Sequence, residues 1–352
     1  MKPEITMCNY YGMCDSQKEA VGHTVKVTNE YSEILKEKFA VKLAASPCIV
    51  KKSDASNFKE ITALKFDICV DGNSLKKRIF DKLKLISNIH QIIKKEGVYF
   101  FYQVDFFFFF YICYLYKVKK KRKIICLIYH QDFTGGKLSS ILQGIYKKAL
   151  KKIDGVIYTQ NGNPIMHPNT MWIPDFFYSD EQYGKYQKIE KKKQAVCVGT
   201  MNRYKQLEEL VNAFAKIDMP LIIAGRFDDK ERFQKLLRDK TENIIIRDEI
   251  LSYEEYMELM ASAQYSILPY DMEQYVNRTS GVLLESIYVG SVPVAPKELL
   301  LQNKLPGVGY KSIQDLQETE KWNNSCKSLF CHIYEMNDKH KFIEFMGEWI
   351  KG

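Results

Sequence analysis

The stretch TSGVLLESIYVGSVPVA, residues 279–295, decides the fold. Ser280 is a good N-cap for a helix starting at Gly281, because its side-chain oxygen can take one of the orphan first-turn amides. Helical apolar spacing runs from there to Val289, and VPVA then reads as a short buried strand. Just upstream, SILPY at residues 266–270 ends another strand. A helix that starts after one strand and leads into the next is the unit of a parallel α/β sheet. Its free amides then lie at the carboxyl edge of the sheet, where open α/β folds bind ligands and where an anion such as a diphosphate is favoured. Gly281 has no side chain, so a phosphate can approach the backbone closely. Glu285 lies four residues on, on the same helical face, where its carboxylate can accept hydrogen bonds from ribose hydroxyls. Taken alone, these residues suit a capped core helix better; their place after a strand reverses that and favours the ligand site.

The same alternation extends in both directions. In the first half the strands are expected at 41–43, 66–70, 98–102, 124–129, 155–159 and 171–173, with helices such as 76–95 and 138–152 between them. Pro174 opens a polar stretch with no clean period, which reads as a linker. After it the pattern restarts at 195–198 and runs through strands at 221–224, 244–246, 265–268 and 292–295. The expected fold class is α/β, with two Rossmann-like domains and a cleft between them. The division is 1–174 for the first domain, 175–194 for the linker, 195–338 for the second domain and 339–352 for a C-terminal docking helix.

Composition limits the partners. With 352 residues and 46% hydrophobic content, the chain can bury a substantial core, more comfortably as two domains than as one. The net charge of +9 is clustered in KVKKKRK (117–123), KKALKK (147–152) and the lysines at 191–193, which suits a phosphate-bearing ligand or an anionic membrane surface. Nine cysteines without a C-x-x-C motif exclude a disulfide framework and fit a reducing cytoplasm. The first residues lack the continuous apolar core of a signal peptide. Residues 98–116 (VYFFYQVDFFFFFYICYLY) have the length of a membrane span, but they contain Gln103 and Asp105 and are rich in strand-forming aromatics. A buried strand ending near Asp105 and then an aromatic helix are expected. Together with KVKKKRK, that helix would hold the protein at the periphery of the inner membrane face.

A second element, VGTMNRYK at 198–205, also follows a strand and precedes a helix. Arg203 and Lys205 bring two cations to the same sheet edge, where they can neutralise a diphosphate and stabilise it as it leaves.

With these blocks in place, the second half resembles the nucleotide-binding domain of retaining GT-B glycosyltransferases, family 4 in particular. VGTMNRYKQLEELVNAF is similar to that family's strand, glycine, lysine and helix block, with Gly199 at its turn. LIIAG resembles the next strand, closed by Gly225 and followed by Arg226. SYEEYMELMASAQYSILPY and SGVLLESIYVGSVPVA resemble the blocks around the donor site. The resemblance implies that Lys205 contacts the donor phosphates, that Ser280 and Gly281 hold the diphosphate and that Glu285 binds the ribose. Where the family has paired glutamates eight residues apart, this chain has Asn277 and Glu285, so Asn277 would stand nearest the donor sugar. His130 follows the strand at 124–129, where relatives often place a histidine facing the sugar. Gly22 and His23 resemble the family's N-terminal glycine loop. The family's arginine directly after the glycine is replaced by Thr200, with Arg203 as its substitute.

The implied protein is a glycosyltransferase that moves a sugar from a nucleotide-sugar donor to a hydroxyl of a glycan or lipid-linked acceptor in cell-surface polysaccharide or glycoconjugate synthesis. It would be cytoplasmic and would need no cofactor, because the nucleotide sugar is a substrate. No D-x-D occurs in the sequence, so no metal is expected; nor is nucleic acid expected as a partner. Two rivals remain. One is a sugar-nucleotide 2-epimerase of the same fold, for which His130, His23 and Asp105 would have to supply the proton chemistry. The other is a catalytically silent GT-B partner protein, to which Thr200 and Asn277 lend weight.

Overall fold

Apolar runs too short for a helix recur through the chain. In the computed structural model, which describes residues 2–14, 17–18, 20, 24–69, 75–129, 139–159, 167–273, 275, 280–322 and 339–351, they assemble into two parallel sheets. The chain divides into two units, one of Met1–Thr159, Asn163–Phe176 and Lys339–Gly352, the other of Gln160–Gly162 and Phe177–Asp338.

The first unit contains β1 (Glu4–Asn9), β2 (Met13–Cys14), α1 (Thr24–Lys36), β3 (Ala40–Ala45), α2 (Pro47–Lys52), β4 (Glu60–Ala63) and β5 (Ile68–Cys69). It continues with α3 (Leu75–Ile93), β6 (Gly97–Phe101), α4 (Phe106–Tyr114), β7 (Arg122–Ile128), α5 (Ser139–Leu150), β8 (Gly155–Tyr158) and β9 (Thr170–Trp172). Its sheet has the order β4-β3-β1-β6-β7-β8-β9, with every neighbour parallel. β1 lies inside the sheet between β3 and β6, and its Ile5, Met7 and Cys8 are fully buried. Of the expected strand at 66–70, the described residues form β5 at Ile68–Cys69, which pairs with β2 outside this sheet.

The aromatic run at 98–116 divides as its polar residues require. β6 ends at Phe101, and Asp105 caps α4 by accepting from the amides of Phe107 and Phe108 at 3.0 and 3.2 Å and from the Tyr10 hydroxyl at 2.8 Å. Burial pushes the Asp105 carboxyl above the usual range against the pull of these hydrogen bonds. Phe108, Phe109, Tyr111 and Ile112 are core, packed with Leu85 and Ile89 of α3 and with Ala149 and Leu150 of α5. No helix among the described residues is long and apolar enough to cross a membrane.

The second unit contains α6 (Asp180–Gln187), β10 (Lys192–Val198), α7 (Leu207–Phe214), β11 (Leu221–Gly225), α8 (Lys230–Asp239) and β12 (Ile244–Asp248). Then come α9 (Tyr253–Ser262), β13 (Ala263–Ile267), α10 (Gly281–Tyr288), β14 (Val292–Pro296), α11 (Lys297–Asn303) and β15 (Val308–Tyr310). Its sheet order is β12-β11-β10-β13-β14-β15, again parallel throughout. Both sheets start in the middle, build to one edge, return and build to the other, which is the doubly wound Rossmann plan. The polar stretch read as a linker holds α6, capped by Ser179 and anchored by the buried Tyr183, whose ring lies 4.9 Å from that of Tyr288.

The last helix, α12 (Lys339–Lys351), belongs to the first unit. Phe342 packs on Tyr31 and Phe100 with ring centroids 5.8 and 6.2 Å away, and the Lys123 ammonium donates to the carbonyls of Trp349 and Ile350 at 3.0 and 3.1 Å. Gly155 leaves room for the Trp349 ring, which a Cβ at that position would meet at 2.4 Å.

Candidate functional site

In a doubly wound sheet the ligand crevice opens where the strand order reverses. In the second unit that point lies between β10 and β13. Beyond the end of β10 the chain turns through Gly199 at φ +94°, a region that favours glycine. Gly225, at the end of β11 with φ +150°, faces it so closely that a Cβ would lie 1.9 Å from the Gly199 carbonyl oxygen. Glycine at both positions is therefore a steric requirement of the turn.

The loop after Gly199 is tied to the end of β13. The Gln206 amide donates to Pro269 O at 2.7 Å and the Asp271 amide to Tyr204 O at 2.8 Å, which sets Lys205 opposite Tyr270. Lys205 is buried at 4% exposure. Its ammonium donates to Val198 O at 2.8 Å, touches the Met201 sulfur at 3.8 Å and stands 5.9 Å from the centre of the Tyr270 ring. Burial holds this ammonium below the usual lysine range, partly offset by the Cys197 thiol. A buried cation that has one carbonyl acceptor among the described residues is a group prepared for an anion.

α10 begins at the same place. Ser280 caps it by accepting from the Leu283 amide at 3.3 Å, and its hydroxyl lies 3.3 Å from that of Tyr270, which is stacked on Tyr275. A Cβ on Gly199 would come within 3.8 Å of both the Lys205 ammonium and the Val282 side chain. Gly199, Lys205, Ser280 and the first turn of α10 thus form one cluster. The early amides of that turn have no intrahelical acceptor, and the helix dipole adds positive potential beside the lysine.

One turn further on, Glu285 is buried and accepts the Tyr256 hydroxyl from α9 at 2.7 Å. Burial, and then the Glu285 carboxylate, push the Tyr256 hydroxyl well up, so it stays a donor and fixes the carboxylate. Arg203 and Arg226 are engaged elsewhere. Arg203 is exposed and lies over the Tyr204 ring at 5.2 Å, while Arg226 pairs with Asp228 at 3.1 Å on the surface. Arg203 lines a hollow of about 370 Å³ with Met201, Asn202, Tyr204, Asp228, Asp229 and Arg232.

Arg232 on α8 is the residue that motif reading passed over. It pairs with both Glu208 oxygens and donates to Asn202 O at 3.0 Å and Lys205 O at 2.7 Å. That fork fixes the backbone carrying Lys205. Its partner lies 24 residues away, so no local pattern announces it.

The corresponding crevice of the first sheet lies between β1 and β6. Asn9 donates to Gln103 Oε1 at 3.2 Å, the Thr24 hydroxyl donates to the same oxygen at 3.3 Å, and Thr28 and Tyr102 share a 2.6 Å hydroxyl contact. His130, Asn277, Gly22 and His23 lie outside the described residues. Asp105 serves as a helix cap, which leaves it poorly suited to the proton abstraction an epimerase needs. Among the described residues no cluster of three or more His, Cys, Asp or Glu is placed to hold a metal ion.

No protein-family model matches the sequence, and no curated protein is detectably similar to it. Solved structures do match. AviGT4, a glycosyltransferase involved in avilamycin A biosynthesis, superposes with a TM-score of 0.60 at 11% identity, covering 99% of this chain and 97% of that one. Anabaena Alr3699/HepE, solved in complex with UDP and glucose, gives 0.60 at 11% identity over 99% of both chains. The alpha,alpha-trehalose 6-phosphate synthase from Burkholderia multivorans gives 0.61 at 10% identity over 100% of this chain and 98% of that one. The fold is GT-B-like, α/β with two Rossmann-like domains.

Proposed function

We propose that the chain is a nucleotide-sugar-dependent glycosyltransferase, retaining and family 4-like, which transfers a hexosyl group to a hydroxyl of a glycan or lipid-linked acceptor. The observation that carries this reading is the buried Lys205 ammonium beside the first turn of α10 at the switch point of the second sheet. The donor diphosphate would lie across Gly199, Ser280 and Gly281, with Lys205 and the helix N-terminus balancing its charge as the bond to the anomeric carbon breaks. The acceptor hydroxyl forms the new bond and loses its proton, and the nucleoside diphosphate leaves. Glu285, held by Tyr256, would accept from the ribose hydroxyls. That HepE was solved with UDP and glucose supports a sugar nucleotide as the ligand class.

Thermal-shift measurements across UDP, GDP, ADP and TDP sugars test this, since a ligand that binds only the folded state stabilises it by mass action. A donor that stabilises the protein and is turned over in the presence of a sugar acceptor supports the reading; no response to any nucleotide sinks it. The engagement of Arg203 and Arg226 elsewhere favours a second reading, a GT-B protein that binds a donor without transferring its sugar. Stabilisation without turnover would mark that case.

A further inference from the structure

Helices α3, α4 and α5 pack side by side on one face of the first sheet, with their inner faces in a single apolar cluster over β1, β6, β7 and β8. Their outer faces are unusual in two respects. Ile79, Phe80 and Leu83 of α3 are 55, 62 and 56% exposed, Tyr114 and Leu115 at the end of α4 are 56 and 51% exposed, and Val118 and Ile141 reach 64 and 60%. Between these two ends Phe106, Phe110 and Tyr114 follow one another along α4 with ring centroids 6.4 and 5.0 Å apart. A monomer seldom leaves this many large apolar groups in water on one face.

The second respect is charge. Residues 75–123 and 139–152 carry seventeen lysines and arginines against three acidic residues, while the whole chain is only +9. The rest of the molecule is therefore net acidic, and all of the positive excess belongs to this helical layer and its loops. Lys82 lies over the Phe107 ring at 4.4 Å. Some of the basic residues are committed within the fold: Arg122 donates to the carbonyls of Lys94 and Lys95, Lys123 to those of α12, and Lys152 to those of Cys113 and Tyr116. Lys117, Lys119 and Lys120 remain exposed beside Val118.

We infer that the outer face of the α3–α4–α5 layer docks on a lipid bilayer with anionic headgroups. Bare polyanions would be met by the lysines alone and give the exposed Ile79, Phe80 and Leu83 no function. A bilayer interface takes both, the apolar side chains entering the acyl boundary and the lysines meeting the headgroups. The surface is not the whole aromatic run at 98–116, since half of α4 is core. Its principal apolar contribution comes from α3, and it needs no nucleotide to operate.

Sedimentation with phosphatidylcholine vesicles, with and without phosphatidylglycerol, tests the inference on the full chain. The protein should pellet only with the anionic vesicles and be released by salt. Phe80→Ser with Leu83→Ser should weaken pelleting about tenfold or more, and Lys119→Glu with Lys120→Glu should abolish it at moderate salt. All four side chains are exposed, so unchanged thermal unfolding is expected and confirms that the variants fold. Phe80→Trp gives an independent readout, a blue shift in emission on vesicle addition that the wild-type protein lacks. A protein that stays in the supernatant at low salt, or a Phe80→Trp variant whose emission is unmoved by bound vesicles, overturns the proposal. So does pelleting that ignores the Phe80 and Leu83 changes and is competed away equally by RNA, which would make the face a polyanion site.

Discussion

Replacing Lys205 with methionine should have opposite effects on stability and on binding. Lys205 is 4% exposed, and among the described residues its ammonium has one carbonyl at 2.8 Å and a thioether at 3.8 Å. Replacing such a buried charge by an apolar side chain of similar length is often neutral or stabilising by about 1–4 kcal/mol. The lower end is expected here because the Val198 carbonyl loses its partner. At about 2–4 °C per kcal/mol for units of this size, Tm should rise by a few degrees. Nucleoside diphosphate should meanwhile bind about ten- to a hundredfold more weakly, from the loss of a charge-assisted hydrogen bond of about 1.5–3 kcal/mol.

The pH dependence follows with a definite sign. The folded-state pKa of Lys205 is depressed, so the unfolded chain holds this proton more tightly and stability rises with pH across the interval between the two values. The destabilisation is fully present below the folded pKa and gone above the unfolded value of about 10.4. A bound diphosphate restores the proton, so wild-type affinity should fall as pH climbs through the depressed pKa, with proton uptake on binding. Calorimetry in buffers of different ionisation enthalpy measures that uptake, and Lys205→Met should lack it. Equal losses for the nucleoside and its diphosphate, or a ligand-free variant less stable than wild type, would refute the assignment of Lys205 as the diphosphate's buried cation.

Further tests address the supports of the cluster. Arg232→Met should cost about 1–2 kcal/mol in denaturant unfolding, less than a fully buried pair because Glu208 is a third exposed, and should also weaken diphosphate binding. Arg232 holds the Glu208 carboxyl below its usual range, so this contribution is present at neutral pH and lost as pH falls through the folded value; the variant should show less acid sensitivity there. Gly225→Ala, which puts a Cβ against the Gly199 carbonyl, should cost more than about 3 kcal/mol or prevent folding, whereas Gly144→Ala in α5 meets open space and should add up to about 1 kcal/mol. Glu285→Ala should weaken a ribonucleotide sugar about tenfold or more and weaken its 2′-deoxy analogue less, as compared by calorimetry.

The second unit was largely legible in the sequence because its strands are unbroken apolar runs and its turns carry glycine and serine at positions with steric meaning. Gly199 and Gly225 are examples, one turning at positive φ and the other leaving no room for a Cβ. The interior strand β1 of the first sheet was not legible. In EITMCN the glutamate, threonine and asparagine interrupt the apolar run, although Ile5, Met7 and Cys8 are fully buried. With β1 unseen, the Asn9, Gln103 and Thr24 network at its end could not be found. Arg232 escaped for a different reason, since its role depends on carbonyls that only the folded loop brings within reach. Arg203 shows the converse limit: spacing placed it in the loop but could not fix the direction of its side chain, which lies on Tyr204.

Because α12 closes the first unit although it follows the whole of the second, synthesis on the ribosome cannot deliver the units one after the other. The nascent first sheet leaves the exit tunnel with Tyr31, Phe100 and the hollow at Gly155 still uncovered, and Phe342 and Trp349 arrive only after the second unit has been made. The second unit is in effect a guest inserted into its host. A circular permutant that places residues 339–352 ahead of β1 should therefore let the host mature early, and pulse proteolysis of stalled nascent chains would show whether the natural order keeps it vulnerable until the end.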